Sequence, residues 1–378
     1  GTGWEAGVHG MDSAADMNDL CTGCSQCVPK CPVKIDIPWI NTVVRDRLNR
    51  SKEPDSLDFL VDGLTPDQES TGLDIQKRVF GNIETFAKLG SIVPGLSNTA
   101  IESDTVQGLL ERFAGIDSRR QLPTLADETL VEWAKGRPTP NPDADREAVL
   151  YPDLYTNYFS PERGRAAVRV LEALGVSVRV PSVPESGRAP LSQGMIDTAD
   201  EKASAVYAAL SEHIDADRDI VVIEPSDLAM FRGEYERLLP DKAADRLAEG
   251  SYELFEYLYG LFENGSEIDT LPTADGTALT YHSHCQQRTL GLEPYTTEIL
   301  SRAGYELSTT DVECCGMAGS FGYKSEYYEL SMDVASRLDG QLPDDGPVVA
   351  SGTSCGEQIA ALTDDDTPHP ITLLDPDR

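Results

Sequence analysis

Four cysteines crowd into eleven residues, Cys21-Thr-Gly-Cys24-Ser-Gln-Cys27-Val-Pro-Lys-Cys31, followed at once by Pro32. The spacing is C-x2-C-x2-C-x3-C-P, the run that ligates cubane iron–sulfur clusters. Thiolates two residues apart take successive corners of one cluster, and the intervening N–H groups point at its sulfides. Pro32 turns the chain away after the fourth cysteine and removes a competing donor. A disulfide knot does not suit an otherwise thiol-poor chain that reads as intracellular. Zinc usually takes two separated C-x2-C pairs. A 4Fe-4S cluster at Cys21, Cys24, Cys27 and Cys31 is therefore expected. In two-cluster ferredoxins the fourth cysteine of a run serves the other cluster. Cys31 thus either completes this cluster or belongs with a companion run. No such run follows it, and only twenty residues precede Cys21. The absent initiator Met favours a companion upstream of Gly1 or on a partner subunit.

Charge narrows the partners. With 65 Asp and Glu against 31 Lys and Arg, the net charge is −34. Nucleic acid is excluded, because a phosphate backbone is bound by releasing counterions to Lys and Arg. An acidic membrane surface repels the chain for the same reason. The acids are spread along the whole sequence as a solvated coat. Lysine is scarce (9 against 22 Arg) and Asp exceeds Glu (36 to 29). That profile is expected of a halophile's salt-rich cytoplasm; an ordinary acidic soluble protein is the plainer alternative. No run reaches the 18 apolar residues of a transmembrane segment, and Gly1-Thr2-Gly3-Trp4 opens no signal peptide. The expected location is cytoplasmic, or peripheral at the inner face of the membrane through a partner.

The remaining cysteines, Cys285, Cys314, Cys315 and Cys355, lie in a block of alternating strands and helices. Strands are predicted at 278–284, 305–309 and 347–351, and helices at 294–303, about 325–338, and after Gly352. Residues 148–237 show the same order: strands at 149–155, 176–181 and 219–224, helices at 163–174 and up to about 214. The offset is nearly constant. It matches Cys285 with Thr156, Cys314 and Cys315 with Glu185 and Ser186, and Cys355 with Asp227. The fold class is therefore α/β with a duplicated unit, one copy holding four cysteines and the other none. The expected domains are a helical ferredoxin-type segment over 1–50 and a helical connector over 51–147. The cysteine-free repeat spans 148–264 and the intact repeat 265–378, related by pseudo-twofold symmetry. Within the connector, 51–70 reads as loop and 74–90, 103–114 and 126–135 as helices, broken by Pro94-Gly95 and Pro123. Pro138, Pro140 and Pro142 mark the clearest boundary. Residues 241–264 read as one apolar helix. No Gly-x-Gly-x-x-Gly for a flavin or nicotinamide occurs, and 316–322 lacks the Lys-Ser/Thr ending of a phosphate loop.

His282-Ser-His-Cys285-Gln-Gln, Cys314-Cys-Gly-Met-Ala-Gly-Ser-Phe-Gly-Tyr323 and Ser351-Gly-Thr-Ser-Cys355 resemble the cysteine-rich CCG domain. That domain occurs twice in B- and D-type heterodisulfide reductase subunits. It also occurs in iron–sulfur subunits of glycolate oxidase, anaerobic glycerol-3-phosphate dehydrogenase and the lactate-utilisation complex. Tyr151-Pro-Asp-Leu-Tyr-Thr-Asn-Tyr-Phe159 and Gly115-Ile-Asp-Ser-Arg-Arg-Gln-Leu-Pro123 add to a likeness with the C-terminal half of FAD-linked D-lactate/glycolate dehydrogenases. Cys31-Pro-Val-Lys-Ile-Asp-Ile-Pro38 is more similar to the lactate-utilisation proteins.

The resemblance implies one cluster per C…CCG…C-x-x-C copy. Here the last pair keeps only Cys355, its mate falling at Gly352 or Gln358. Four thiolates suit a cubane better than the five-cysteine cluster that splits disulfides in heterodisulfide reductases. A second iron–sulfur cluster at Cys285, Cys314, Cys315 and Cys355 is the expectation, with His282 and His284 as polar neighbours and the first copy structural. The implied function is electron transfer in a lactate/glycolate-type 2-hydroxyacid dehydrogenase system. FAD would sit on an absent flavin-containing dehydrogenase domain or subunit, and a membrane quinone or its carrier protein would be the acceptor. The rivals are a heterodisulfide-reductase-like thiol/disulfide reductase and a non-redox module with structural zinc.

Overall fold

The computed structural model describes residues 18–51, 75–138 and 140–378. The loop expected at 51–70 lies, beyond Ser51, outside the described residues. The chain is α/β and carries two parallel sheets.

The first sheet contains β1 (Glu147–Leu150), β2 (Ser177–Arg179), β3 (Asp219–Val222) and β4 (Ser251–Glu253), in the order β2-β1-β3-β4. Its two inner strands, β1 and β3, are apolar on both faces, as the centre of a parallel sheet sandwiched by helices must be. Ala148, Leu150 and Val221 pack with Leu171, Phe255 and Leu258 on one side. The alternate residues Val149, Ile220 and Val222 pack with Leu210, Met230 and Phe231 on the other. This period of two is the pleat of a strand buried on both faces.

The second sheet contains β5 (Thr277–His282), β6 (Tyr305–Thr309) and β7 (Val348–Ala350), in the order β6-β5-β7. Leu279, Tyr281 and Val349 share one core with Leu300 and Leu373. On the opposite face Ala350 packs with Val312, Met317, Leu338, Ile359 and two of the cysteines, Cys315 and Cys355. In each sheet the first strand in sequence pairs with the second and third on its two sides.

Several local expectations are corrected. The strand expected at 149–155 stops at Leu150, because Asp153 accepts a hydrogen bond from the Thr156 amide and starts a helix at Leu154–Tyr158. After the strand expected at 219–224, Pro225-Ser226-Asp227 forms the first turn of the helix Pro225–Arg232, with proline at its start. The single helix read over 241–264 is two, Asp241–Glu249 and Leu254–Glu263, separated by Gly250 and by β4, which pairs with β3. The helix break expected near Pro94-Gly95 falls at 91–93, and Pro94 opens a further helix, Pro94–Ile101.

Candidate metal centres

The C-terminal cysteine group sits where strand ends converge. The three strands of the second sheet are parallel, so their C-terminal ends meet at one edge, the usual place for a site in such sheets. There β5 ends in His282, which is paired with Ala350 at the end of β7. Thr310 follows β6, and its Oγ1 lies 2.6 Å from His282 Nδ1. Cys285 opens the short helix Cys285–Thr289, capped by the His284 ring, which accepts from the Gln286 amide at 3.2 Å.

Behind this edge a polar scaffold fixes the turn. The Gln287 side-chain oxygen accepts from the Tyr281 hydroxyl at 2.5 Å, from Ser283 at 2.9 Å and from Ser351 at 2.8 Å. Ser351 in turn accepts from the His284 amide at 2.9 Å. Three elements are thus tied through one buried glutamine.

The Cys314-Cys315 loop needs its glycine. Gly316 has φ +93°, and a Cβ there would lie 2.3 Å from the Ser331 carbonyl oxygen and 3.1 Å from the Ala335 amide nitrogen. Only glycine allows that approach. The Gly316 amide donates to Cys314 Sγ at 3.3 Å, the kind of contact that stabilises a thiolate. Cys355 lies in the helix Thr353–Thr363, whose start faces the same edge. Among the described residues, one group of three metal-ligand side chains converges: one donor atom each of His282, Cys315 and Cys355, all within 4.8 Å of one another. All three are buried.

The thiols are crowded. Burial pushes the Cys285 thiol well up, and nearby Cys315, Cys314 and Cys24 push it further. Cys24 is likewise raised, first by burial, against the opposing Gln26 amide, and then by Cys314 and Cys21. So the two cysteine groups, some 260 residues apart in sequence, feel each other across a short gap. The contacts between them are specific. Gln286 Nε2 donates to the Gly23 carbonyl at 2.8 Å and Thr289 Oγ1 to the Cys24 carbonyl at 3.1 Å. These donors stand three residues apart, on one face of the helix that Cys285 begins. Gln26 Nε2 donates to the Glu313 carbonyl at 2.9 Å, next to Cys314. Arg45, in the helix Ile37–Ser51, donates to the Cys21 carbonyl at 3.1 Å and to Asp19 at 3.0 Å.

Within the N-terminal run, burial, Cys24 and Cys21 raise the Cys27 thiol. Cys31 differs: the amides of Ile35 and Val33 hold its thiol below the ordinary value. Such amides would serve a cluster thiolate equally well.

The donor chemistry fits a soft metal group: thiols that hinder one another's ionisation, amides aimed at sulfur, and a neutral imidazole. The His282 ring is held down at about 3 by burial and by Arg288, so it is unprotonated near neutral pH. Its place beside Cys315 and Cys355 is what the sequence reading missed. The only available signal was its position on the strand, two residues before His284.

At the positions matched in the first unit there is no thiol. Ser186 donates to Asp227, and Tyr235 donates to the Ser186 carbonyl at 2.8 Å. Arg163 donates to Thr156 at 2.8 Å and to Thr353 at 2.8 Å, and pairs with Asp153 at 3.4 Å. Glu224 accepts from the Thr353 amide and hydroxyl at 3.0 and 2.9 Å, joining the first unit to the helix that carries Cys355. A cavity of about 190 Å³ lies where these groups meet, lined among others by Cys24, Cys285, Glu185, Glu224 and His284.

Among the described residues, no helix is long and apolar enough to cross a membrane. No protein-family model matches the chain. One subunit of the anaerobic glycerol-3-phosphate dehydrogenase of Escherichia coli (strain K12) is 27% identical over 313 residues, covering 81% of this chain and 78% of its own length. The D-2-hydroxyglutarate dehydrogenase of Pantoea ananatis is 24% identical over 393 residues; this spans 98% of the chain but 35% of that enzyme. Lactate utilization protein A of Bacillus pumilus is 28% identical over 218 residues, 55% of this chain and 87% of that protein. By sequence, then, the chain is similar to proteins of glycerol-3-phosphate dehydrogenase, D-2-hydroxyglutarate dehydrogenase and lactate utilisation, in line with the resemblance its cysteine motifs carry.

Proposed function

We propose that this chain is an iron–sulfur electron-transfer module of a 2-hydroxyacid dehydrogenase system. Cys21, Cys24, Cys27 and Cys31 hold a ferredoxin-type 4Fe-4S cluster, and Cys285, Cys314, Cys315 and Cys355 hold a second cluster. The clusters supply one-electron carriers; the chain's part is to bring them close and tune them by burial and hydrogen bonds to sulfur. Substrate oxidation takes place on a flavin-bearing domain or subunit elsewhere, and electrons leave to a quinone or similar acceptor.

The observation that carries this reading is the contact between the two cysteine groups, Gln286 and Thr289 gripping the Gly23-Cys24 backbone. A structural metal site has no need of a second site at such range; a relay does. The same-order sheets support a duplicated unit with one cysteine-free copy over 148–264 and an intact copy over 265–378; ahead of them the reading keeps a ferredoxin-type segment over 1–50 and a connector over 51–147. The acid-rich composition suits a cytoplasmic protein of a salt-rich cell, docked at a membrane through its partner.

Structural zinc is the rival with a specific observation behind it, since one imidazole and two thiols within 4.8 Å also suit zinc. Anaerobic purification with iron, zinc and acid-labile sulfide assays, followed by EPR on stepwise reduction, separates the two. Two interacting paramagnetic centres are expected. Zinc at the C-terminal site, with a single paramagnetic species on reduction, overturns the relay.

A further inference from the structure

We propose that His282 is a ligand of the C-terminal metal centre, its Nε2 joining the sulfurs of Cys315 and Cys355. This rests on the reading of the C-terminal cysteines as a metal centre, and it changes the ligand set from all-thiolate to mixed imidazole and thiolate.

Three independent features of the ring converge. His282 is fully buried and its Nε2 has no hydrogen-bond partner. An orphaned polar atom inside a protein is costly unless something unseen satisfies it. Next, the ring shares a 4.8 Å sphere with Cys315 and Cys355. Finally, Nδ1 is engaged by Thr310 Oγ1 at 2.6 Å. The tautomer in which Nδ1–H donates to that hydroxyl leaves the Nε2 lone pair free, the orienting arrangement common to metal-bound histidines. Strand geometry enforces the aim. Thr280 and His282 alternate with Leu279 and Tyr281, and those two belong to the core on the opposite face of the sheet. His282 therefore projects to the face on which Cys315 and Cys355 pack.

Two other histidines sharpen the case. His369 also has a buried, unpartnered Nε2, but no group of three donors forms around it among the described residues. His284 carries the opposite tautomer: its Nδ1 accepts from the Gln286 amide, so the proton sits on Nε2, 4.0 Å from Cys285 Sγ. His284 is thus placed as an N–H donor toward sulfur and His282 as a lone-pair donor toward metal. His284 also occupies the space of a further cysteine. A Cβ on Gly352 would lie 2.3 Å from the His284 ring.

The test uses the whole chain, loaded anaerobically, with 15N-histidine incorporated. Pulsed EPR on the reduced C-terminal centre is expected to show one directly coupled nitrogen whose signal changes with the isotope; this measurement needs no variant. H282Q is expected to abolish that coupling while the N-terminal signal stays, and H284Q to leave it. H282C is expected to retain the iron and move the centre's midpoint to lower potential, because a thiolate adds negative charge where imidazole added none. An iron centre with only weak nitrogen coupling, unchanged midpoint in H282C and unchanged signal in H282Q overturns His282 ligation and leaves the relay standing. If zinc is found at the site, the relay falls. The ligand assignment is then decided by zinc-edge absorption: one nitrogen scatterer lost in H282Q supports it, and an all-sulfur shell overturns it.

Discussion

Both parallel sheets gather buried polar side chains beyond their strand ends, yet the two groups differ in chemistry. Beside β1–β4 most of these groups pair with an arginine or a hydroxyl, although Asp153 Oδ2 has no partner and burial with neighbouring Asp153, Glu224 and Glu185 pushes the Asp227 carboxyl up. Arg163 reaches Thr156, Asp153 and Thr353, while Ser186 bonds Asp227 and is itself held by Tyr235. In the unit built on β5–β7 the thiols raise each other, and the His282 Nε2 has no partner. A buried network of carboxylates, hydroxyls and an arginine specifies structure. Thiols in contact beside an unpartnered imidazole are the donor set of a soft metal. In the proposed function the first unit holds the second in place and the second does the chemistry.

The largest test of that contrast is to make the second unit more like the first. Cys315→Ser is expected to remove the C-terminal centre entirely, read as loss of its share of iron and labile sulfide, while the N-terminal EPR signal persists. Loss of both signals together would show that the two groups are one folding unit.

The converse experiment attacks the Arg163 network. Arg163→Met leaves Asp153 buried without its cation; Asp153 Oδ2 is already unpartnered. Removing one member of a buried pair costs about 3–5 kcal/mol, measurable as a drop in the urea midpoint. A change under about 1 kcal/mol would mean that the network contributes little to stability.

A smaller effect is pH-dependent. Burial raises the Glu185 carboxyl to about 7, against the pull of Lys202. Its folded value lies above the unfolded one, so the folded chain binds a proton that the unfolded chain has released. Stability from this group is full below about pH 4.5 and is lost as pH rises through about 7, a change on the order of 3 kcal/mol. Glu185→Gln should flatten that slope in urea midpoints collected across the window; an unaltered slope would assign it to other carboxyls.

The smallest effect concerns the exposed pair Lys30–Glu313, at 2.6 Å, between the two cysteine loops. Both side chains are well solvated, so Lys30→Ala should leave the thermal midpoint unchanged. A clear loss would mean that charge, rather than the Gln286 and Thr289 contacts, holds the loops together.

Much of this was legible from residues that act locally. Cys21, Cys24, Cys27 and Cys31 are ligand-spaced within one short loop, and no distant contact is needed to recognise them. The strand at 305–309 and the helix Ile196–Asp215 follow from apolar periodicity, and the helix Ile37–Ser51 from its Asp36 cap as well. Where local rules failed, tertiary pairing or a cap competed. Ser251–Glu253 is a strand because β3 offers an edge, although its neighbours are good helix formers. Leu154–Tyr158 is helical because Asp153 caps it, despite aromatic residues that favour strands.

The sequence by itself determined the donors: eight cysteines in two groups of four, glycine after the pair, acid everywhere else. Only the tertiary structure decided which of them face each other. Thiol spacing is a property of a few bonds along the chain, whereas the approach of Cys24 to Cys285 and the aim of His282 depend on three parallel strands ending at one edge. That register is set by the burial of both sheet faces, a many-residue effect that no short motif encodes.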